Sequence, residues 1–175
     1  MWRISGLLFL TTTLFLGTIT FAQELKVKME GVKIDFVADM QNTSGSVGGF
    51  VAKILFNPDD LANSVITGTV DVNTLETGNE KRDEHLKSAD YFEAETYPTM
   101  SFTSGTIELV GDKFVMTGKM KIKDVEREEK IEFTFVDKVF TAECTIQAAN
   151  YNLGNFANKK PEKTNVKISL SIPVE

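Results

Sequence analysis

The stretch TGNEKRDEHLKSADYFEAETYPTMSFTS, residues 77–104, interrupts a chain whose other segments alternate between apolar and polar residues. Its first half is charged, and the positions of Leu86 and Phe92 predict a short amphipathic helix within residues 79–92. Pro98 ends any helix, and the alternating pattern resumes directly after it. We therefore expect one short helical insert in an otherwise all-β chain.

Period-two alternation dominates the rest of the sequence, and it places every second side chain on the same face of a strand. Eight segments show the pattern: residues 34–38, 50–56, 66–72, 100–109, 114–122, 131–135, 140–148 and 166–172. Each has an apolar and a polar face, which is typical of antiparallel strands and excludes a parallel α/β sheet. Eight such strands are expected to close into a barrel, because closure satisfies the sheet edges.

The length and the first residues indicate an exported single domain. The chain has 175 residues, 42% of them hydrophobic, which suits one domain with its own core. Residues 1–22 combine a basic start, an apolar run and a small-residue ending, which predicts a secretory signal peptide. An uncleaved membrane anchor is the alternative, since the apolar run is nearly long enough to span a bilayer. Cleavage would leave a β-barrel domain at residues 23–175 with no stable membrane span.

The expected mature chain is acidic. Without Arg3, 18 basic residues stand against 25 acidic ones, a net charge of −7. Such a surface repels phosphate backbones, so we expect no nucleic acid partner. Cys144 is the only cysteine, which excludes an internal disulfide.

Catalytic chemistry has one candidate residue. His85 is the only histidine, so a serine or cysteine nucleophile would need it as its base. Its charged setting, without a nucleophile motif nearby, favours capping or ion pairing instead. Cys144 falls on the inward face of its strand, where a thiol behaves as a small hydrophobe. One histidine and one cysteine also offer too few ligands for zinc. We expect no catalytic residue and no metal; a cell-envelope enzyme using His85 or a carboxylate pair is the alternative.

The sequence of residues 75–104 closely resembles the signature of the YceI-like lipid and polyisoprenoid-binding family. That signature has a strand, then TGN-x-x-RD-x-HL-x-S-x-x-[FY]F, then YP and a strand ending in F-x-S. The matching residues are Thr77-Gly78-Asn79, Arg82-Asp83, His85-Leu86, Ser88, Tyr91-Phe92, Tyr97-Pro98 and Phe102-Thr103-Ser104. So many fixed spacings make a chance match improbable.

The similarity extends across almost all of residues 23–175. Gly49-Phe50 is similar to the family's G-x-F, residues 118–125 to its G-x-L-T-I-x-G-V segment, and residues 150–154 to its R-x-x-F-G turn. The positions that depart from the family pattern are Asp39, Lys121, Asp124 and Asn150. These departures indicate a divergent member.

The resemblance implies an extended eight-stranded antiparallel β-barrel of lipocalin-like architecture, periplasmic or secreted, that holds a long isoprenoid or other lipid tail. The implied role is non-enzymatic, as a carrier or in sequestration, with no cofactor beyond a bound isoprenoid or quinone-type lipid. Alternation alone leaves open whether the inward residues line a cavity or pack a solid core; the resemblance favours the cavity. The alternative without a cavity is a barrel that binds another protein through its surface. A homodimer is also compatible with the sequence.

The predicted ligand-binding residues are apolar and face inward. They are Phe36, Phe50, Ile54, Phe102, Met116, Met120, Phe133, Phe135, Ile146 and Leu170. Pattern assigns each of them to a face but not to a depth along the barrel.

Overall fold

The computed structural model describes residues 23–39 and 42–175, so the predicted signal peptide at 1–22 lies outside the described residues. Within these described residues, one antiparallel sheet contains ten strands in the order β1-β4-β5-β6-β7-β8-β9-β10-β2-β3. The strands are β1 (Glu24–Leu25), β2 (Lys33–Ala38), β3 (Thr43–Ser46), β4 (Val51–Leu55), β5 (Val65–Asp71), β6 (Thr99–Val110), β7 (Lys113–Ile122), β8 (Val125–Val136), β9 (Val139–Gln147) and β10 (Asn165–Pro173). The prediction of an all-β antiparallel fold with one short helix is confirmed.

The sheet has ten strands where eight were expected. The eight predicted segments correspond to β2 and β4–β10, and the two additional strands are β1, of two residues, and β3, of four. β3 reads Thr-Ser-Gly-Ser, which has no apolar alternation to detect. Both short strands exist because neighbours pair with them, β4 with β1 and β2 with β3.

The sheet curls until its two ends approach each other. Beyond the named strands, Val27 bridges to Val174 and Ser46 bridges to Glu76, both in antiparallel fashion. The Asp71 N–H of β5 also donates to the Gly48 carbonyl, just after β3, at 3.0 Å. These contacts tie the edges across the barrel and turn one apolar face inward.

The helix α1 spans Glu80–Lys87 and is shorter than the predicted 79–92 insert. The Asn79 side chain accepts a hydrogen bond from the Arg82 N–H at 3.1 Å and caps its start. At the other end the Ser88 N–H reaches the Glu84 and His85 carbonyls, and a series of turns replaces the helix. Within the part of the chain that the structure describes, no helix is long and apolar enough to cross a membrane.

The barrel wall separates between β8 and β9. These strands pair only over Glu132–Val136 of β8, so the first half of β8 pairs with β7 alone. Residues 148–164, which connect β9 to β10, form three short 3-10 turns beside this opening. Tyr151 from the first of those turns is completely buried.

Gly118 of β7 lies beside an irregularity of β6 between Ser104 and Thr106. A Cβ atom at Gly118 would overlap the Thr103 carbonyl oxygen and would lie 2.7 Å from the Phe102 ring. The missing side chain therefore lets the Phe102 ring cross over the neighbouring strand.

Gly118→Ala is expected to lower the free energy of unfolding by about 1–3 kcal/mol, because the backbone and the Phe102 ring must both shift. Gly105→Ala is the matched control in the same irregular segment, since its Cβ would meet only the Thr117 carbonyl oxygen at 3.5 Å. That control should change stability by less than about 0.5 kcal/mol. Urea unfolding followed by circular dichroism measures both, and equal losses would contradict the assigned crowding.

Candidate functional site

A cavity of about 250 Å³ runs inside the barrel. Its wall is almost entirely apolar and receives side chains from β2, from β4 to β10, from α1 and from residues 148–156. Several inward-facing residues are only half-buried because they face this space instead of another side chain, among them Phe36, Phe102 and Leu170. The interior is therefore not a solid core.

Nine of the ten predicted ligand-binding residues lie on the cavity wall. They are Phe36, Phe50, Ile54, Phe102, Met116, Met120, Phe133, Ile146 and Leu170. The structure places Phe135 away from that wall, although its strand register turns it inward as predicted. Contact of the nine residues with a ligand remains a prediction.

Five phenylalanines close one end of the cavity, and we call them the phenylalanine cluster: Phe56, Phe114, Phe133, Phe135 and Phe140. Phe56 packs edge-on against the other four, with ring centroids 5.2–5.6 Å apart. Edge-to-face contacts at these distances are favourable and tightly packed. Phe133 and Phe140 of this cluster also line the cavity, whereas Phe135 contacts Phe56 and Phe140 and does not line it.

Two irregular segments meet at another part of the cavity wall. Leu86 of α1, together with Tyr91 and Phe92 just after the helix, lines the cavity from one side. Leu153 and Phe156 line it from the β9–β10 connection, and the Tyr91 and Phe156 ring centroids lie 6.1 Å apart. Leu86 and Phe92 were recognised in the sequence as the apolar side of the insert. Leu153 and Phe156 were missed because an irregular segment has no periodic pattern.

Thr77 attaches α1 to the segment that precedes the helix. The Arg82 side chain donates from Nε to Thr77 Oγ1 at 2.7 Å and from Nη2 to the Thr77 carbonyl at 2.9 Å. The Asp83 carboxylate accepts from the Thr77 N–H at 2.9 Å and from its hydroxyl. The signature residues Thr77, Arg82 and Asp83 thus position the helix.

His85 lies on the outer side of α1 and does not line the cavity. Its Nε2 is 3.6 Å from the Asp90 carboxylate, and its ring contacts Tyr91 edge-on at a centroid distance of 4.9 Å. These contacts agree with the ion-pairing role favoured by the sequence. Among residues 23–39 and 42–175, no group of three or more His, Cys, Asp or Glu side chains is arranged to hold a metal ion.

Two protonated groups lie near the Glu129 carboxylate. Burial raises the pKa of the Cys144 thiol to about 11, and the negative charge of Glu129 adds to the effect. The Tyr151 hydroxyl donates to Glu129 Oε1 at 2.7 Å. Burial is the larger cause and this hydrogen bond the next, and both raise the pKa of Tyr151. Cys144 also lines the cavity. At neutral pH its thiol is uncharged, which suits an apolar wall and not a nucleophile.

A family model for the YceI-like domain matches residues 18–175. The chain belongs to the YceI-like domain family. The family resemblance inferred from residues 75–104 is thereby confirmed. A UPF0312 protein of Photorhabdus laumondii is 32% identical over 83 residues, which are 47% of this chain and 43% of that protein. This YceI-like chain therefore matches less than half of that relative's length.

Two solved structures share the fold of this YceI-like chain. BcnA of Burkholderia cenocepacia aligns with a TM-score of 0.76 and 24% identity, over 84% of this chain and 98% of BcnA. A polyisoprenoid binding domain from Saccharophagus degradans, implicated in plant cell wall breakdown, aligns with a TM-score of 0.59 and 13% identity. That alignment covers 87% of this chain and 97% of the domain. At such identities the likeness concerns the YceI-like fold alone.

Proposed function

We propose that this protein is an exported, non-enzymatic lipid-binding protein whose barrel holds an isoprenoid or a similar long apolar tail. The observation that carries the proposal is the apolar cavity of about 250 Å³, closed at one end by the phenylalanine cluster. The likeness in fold to the polyisoprenoid binding domain from Saccharophagus degradans supports the choice of an isoprenoid. The signal-peptide pattern of residues 1–22 supports export to the periplasm or beyond.

The physical basis is transfer of the tail from water to an apolar wall. Each methylene removed from water contributes about 0.8 kcal/mol, so a tail of several isoprene units can bind without a covalent bond. The thioether side chains of Met116 and Met120 on the wall can adapt to a flexible guest. The concave shape matters because it removes much of the tail from water.

Extraction of the purified protein with organic solvent should release close to one equivalent of lipid, identified by mass spectrometry. Column fractions from a purification without the protein supply the background. A fluorescent isoprenoid probe should bind the delipidated protein and be displaced by unlabelled isoprenoid. The proposal fails if no lipid is released and the probe does not bind.

A further inference from the structure

Arg82 is the only charged side chain on the cavity wall within the described residues. It is half-buried, lies in the first turn of α1 and shares its part of the wall with Leu86. The phenylalanine cluster, in contrast, is wholly apolar. The cavity therefore has a cationic group beside α1 and an apolar closed end.

Thr77 fixes the direction of the Arg82 guanidinium. Nε and one hydrogen of Nη2 are used in the bonds to Thr77, which leaves the two hydrogens of Nη1 and one of Nη2 for other acceptors. Asp83 binds Thr77 and does not form an ion pair with Arg82. In the described ranges, no carboxylate lies within ion-pair distance of the guanidinium.

A half-buried cation without an ionic partner is costly beside an apolar wall, and an anionic oxygen would offset that cost. The planar fork of arginine donates to phosphate and carboxylate oxygens with matching geometry. A hydroxyl head on the same tail offers a single neutral acceptor and gains less.

We propose that Arg82 is a specificity-determining residue that selects amphiphiles with an anionic oxygen head, phosphate or carboxylate, over the same tail with an alcohol head. This inference rests on the proposed function, because it requires a tail inside the cavity. The head lies at Arg82 beside α1, and the tail extends along the cavity towards the phenylalanine cluster.

Matched pairs of amphiphiles test the inference by competition against a fluorescent isoprenoid probe. Farnesyl phosphate is compared with farnesol, and palmitate with hexadecanol, so that the phosphate and carboxylate heads are separated. The wild-type protein should bind at least one anionic member about tenfold more tightly than its alcohol, the gain expected of charge-assisted hydrogen bonds. Arg82→Gln should reduce that ratio to about one, whatever its effect on the affinity for the alcohol itself.

Lys81→Gln is the matched control, because it removes the same charge from the same helix at an exposed position off the cavity wall. It should keep the wild-type ratio. Arg82→Lys keeps the charge without the fork and should keep part of the preference. If Arg82→Gln does not fold, the inference is tested by the ratio of anion to alcohol affinity in the wild type and by its decrease in Arg82→Lys.

Three results overturn the inference: two of them leave the proposed function standing, and the third overturns that as well. Equal binding of alcohol and anion by the wild type, or an unchanged ratio in Arg82→Gln, overturns the role of Arg82 while lipid binding stands. Failure of the wild type to bind any of the four amphiphiles or the probe overturns both.

Discussion

Cys144→Phe is expected to weaken binding of a long isoprenoid by about 100-fold. Cys144 is half-buried only because it faces the cavity from β9. A phenyl ring at this position occupies space that about four methylenes of the tail would fill. At about 0.8 kcal/mol for each methylene, their return to water costs about 3 kcal/mol, which is about 100-fold in Kd. Displacement of a fluorescent isoprenoid probe measures the change.

Cys144→Ala is the matched control for this substitution. It removes the thiol but keeps the cavity open, so affinity should stay within about threefold of the wild type. Urea unfolding should show that Cys144→Phe is not less stable than Cys144→Ala, because the ring fills empty space and does not displace packed neighbours. A folded Cys144→Phe protein with wild-type affinity would show that the tail lies elsewhere.

Tyr151→Ala is expected to lower the free energy of unfolding by about 3–5 kcal/mol, the range for loss of a large buried aromatic side chain. Tyr151 is completely buried where β8 and β9 separate, and its hydroxyl binds Glu129. Without the ring, a cavity remains at the opening beside the first half of β8. Urea unfolding in the presence and absence of bound lipid measures the loss.

Tyr151→Phe isolates the hydroxyl, because it keeps the ring and removes only the donor to Glu129. It should cost about 1–2 kcal/mol, since the half-buried carboxylate recovers part of the bond from water. A loss in Tyr151→Phe as large as that in Tyr151→Ala would show that the hydrogen bond, and not filling by the ring, holds the segment.

The same residues set the response to alkali. The folded pKa of Tyr151 is raised above its ordinary value of 10.0, and that of Cys144 rises from 9.0 to about 11. Above these ordinary values the unfolded chain loses protons that the folded chain keeps, so the free energy of unfolding falls as pH rises. Each such group removes up to about 1.4 kcal/mol per pH unit. Tyr151→Phe should therefore lose less stability than the wild type between about pH 10 and pH 11.

Much of the fold could be predicted because its strongest signal is local. Period-two alternation depends on adjacent residues, and it located the eight longer strands together with their inward faces. The strands β1 and β3 were not predicted, because segments of two and four residues are too short to show period-two alternation. Only their pairing with β4 and β2 defines them. The helix ended at Lys87 instead of near Phe92 because backbone bonds at Ser88 redirect the chain.

For the candidate site, the sequence predicted which side chains face the barrel interior but not how far along the barrel each one lies. Phe133 and Phe135 belong to the same inward row of β8 and to the same phenylalanine cluster, yet Phe133 lines the cavity and Phe135 does not. Tyr151 and Phe156 lie in turns where no repeat indicates burial. The role of Arg82 also depends on Thr77, five residues earlier, whose oxygens orient the guanidinium.

By itself, the sequence determined the family, the antiparallel strands and which side chains face inward, because spacing along one chain is enough to specify them. Only the tertiary structure decided which inward side chains face empty space, which five phenylalanines close one end, and that Arg82 alone among the charged side chains of residues 23–39 and 42–175 lies on the wall. The reason is that empty space depends on how strands far apart in the chain curl around one another, and alternation along a strand carries no information about that curvature.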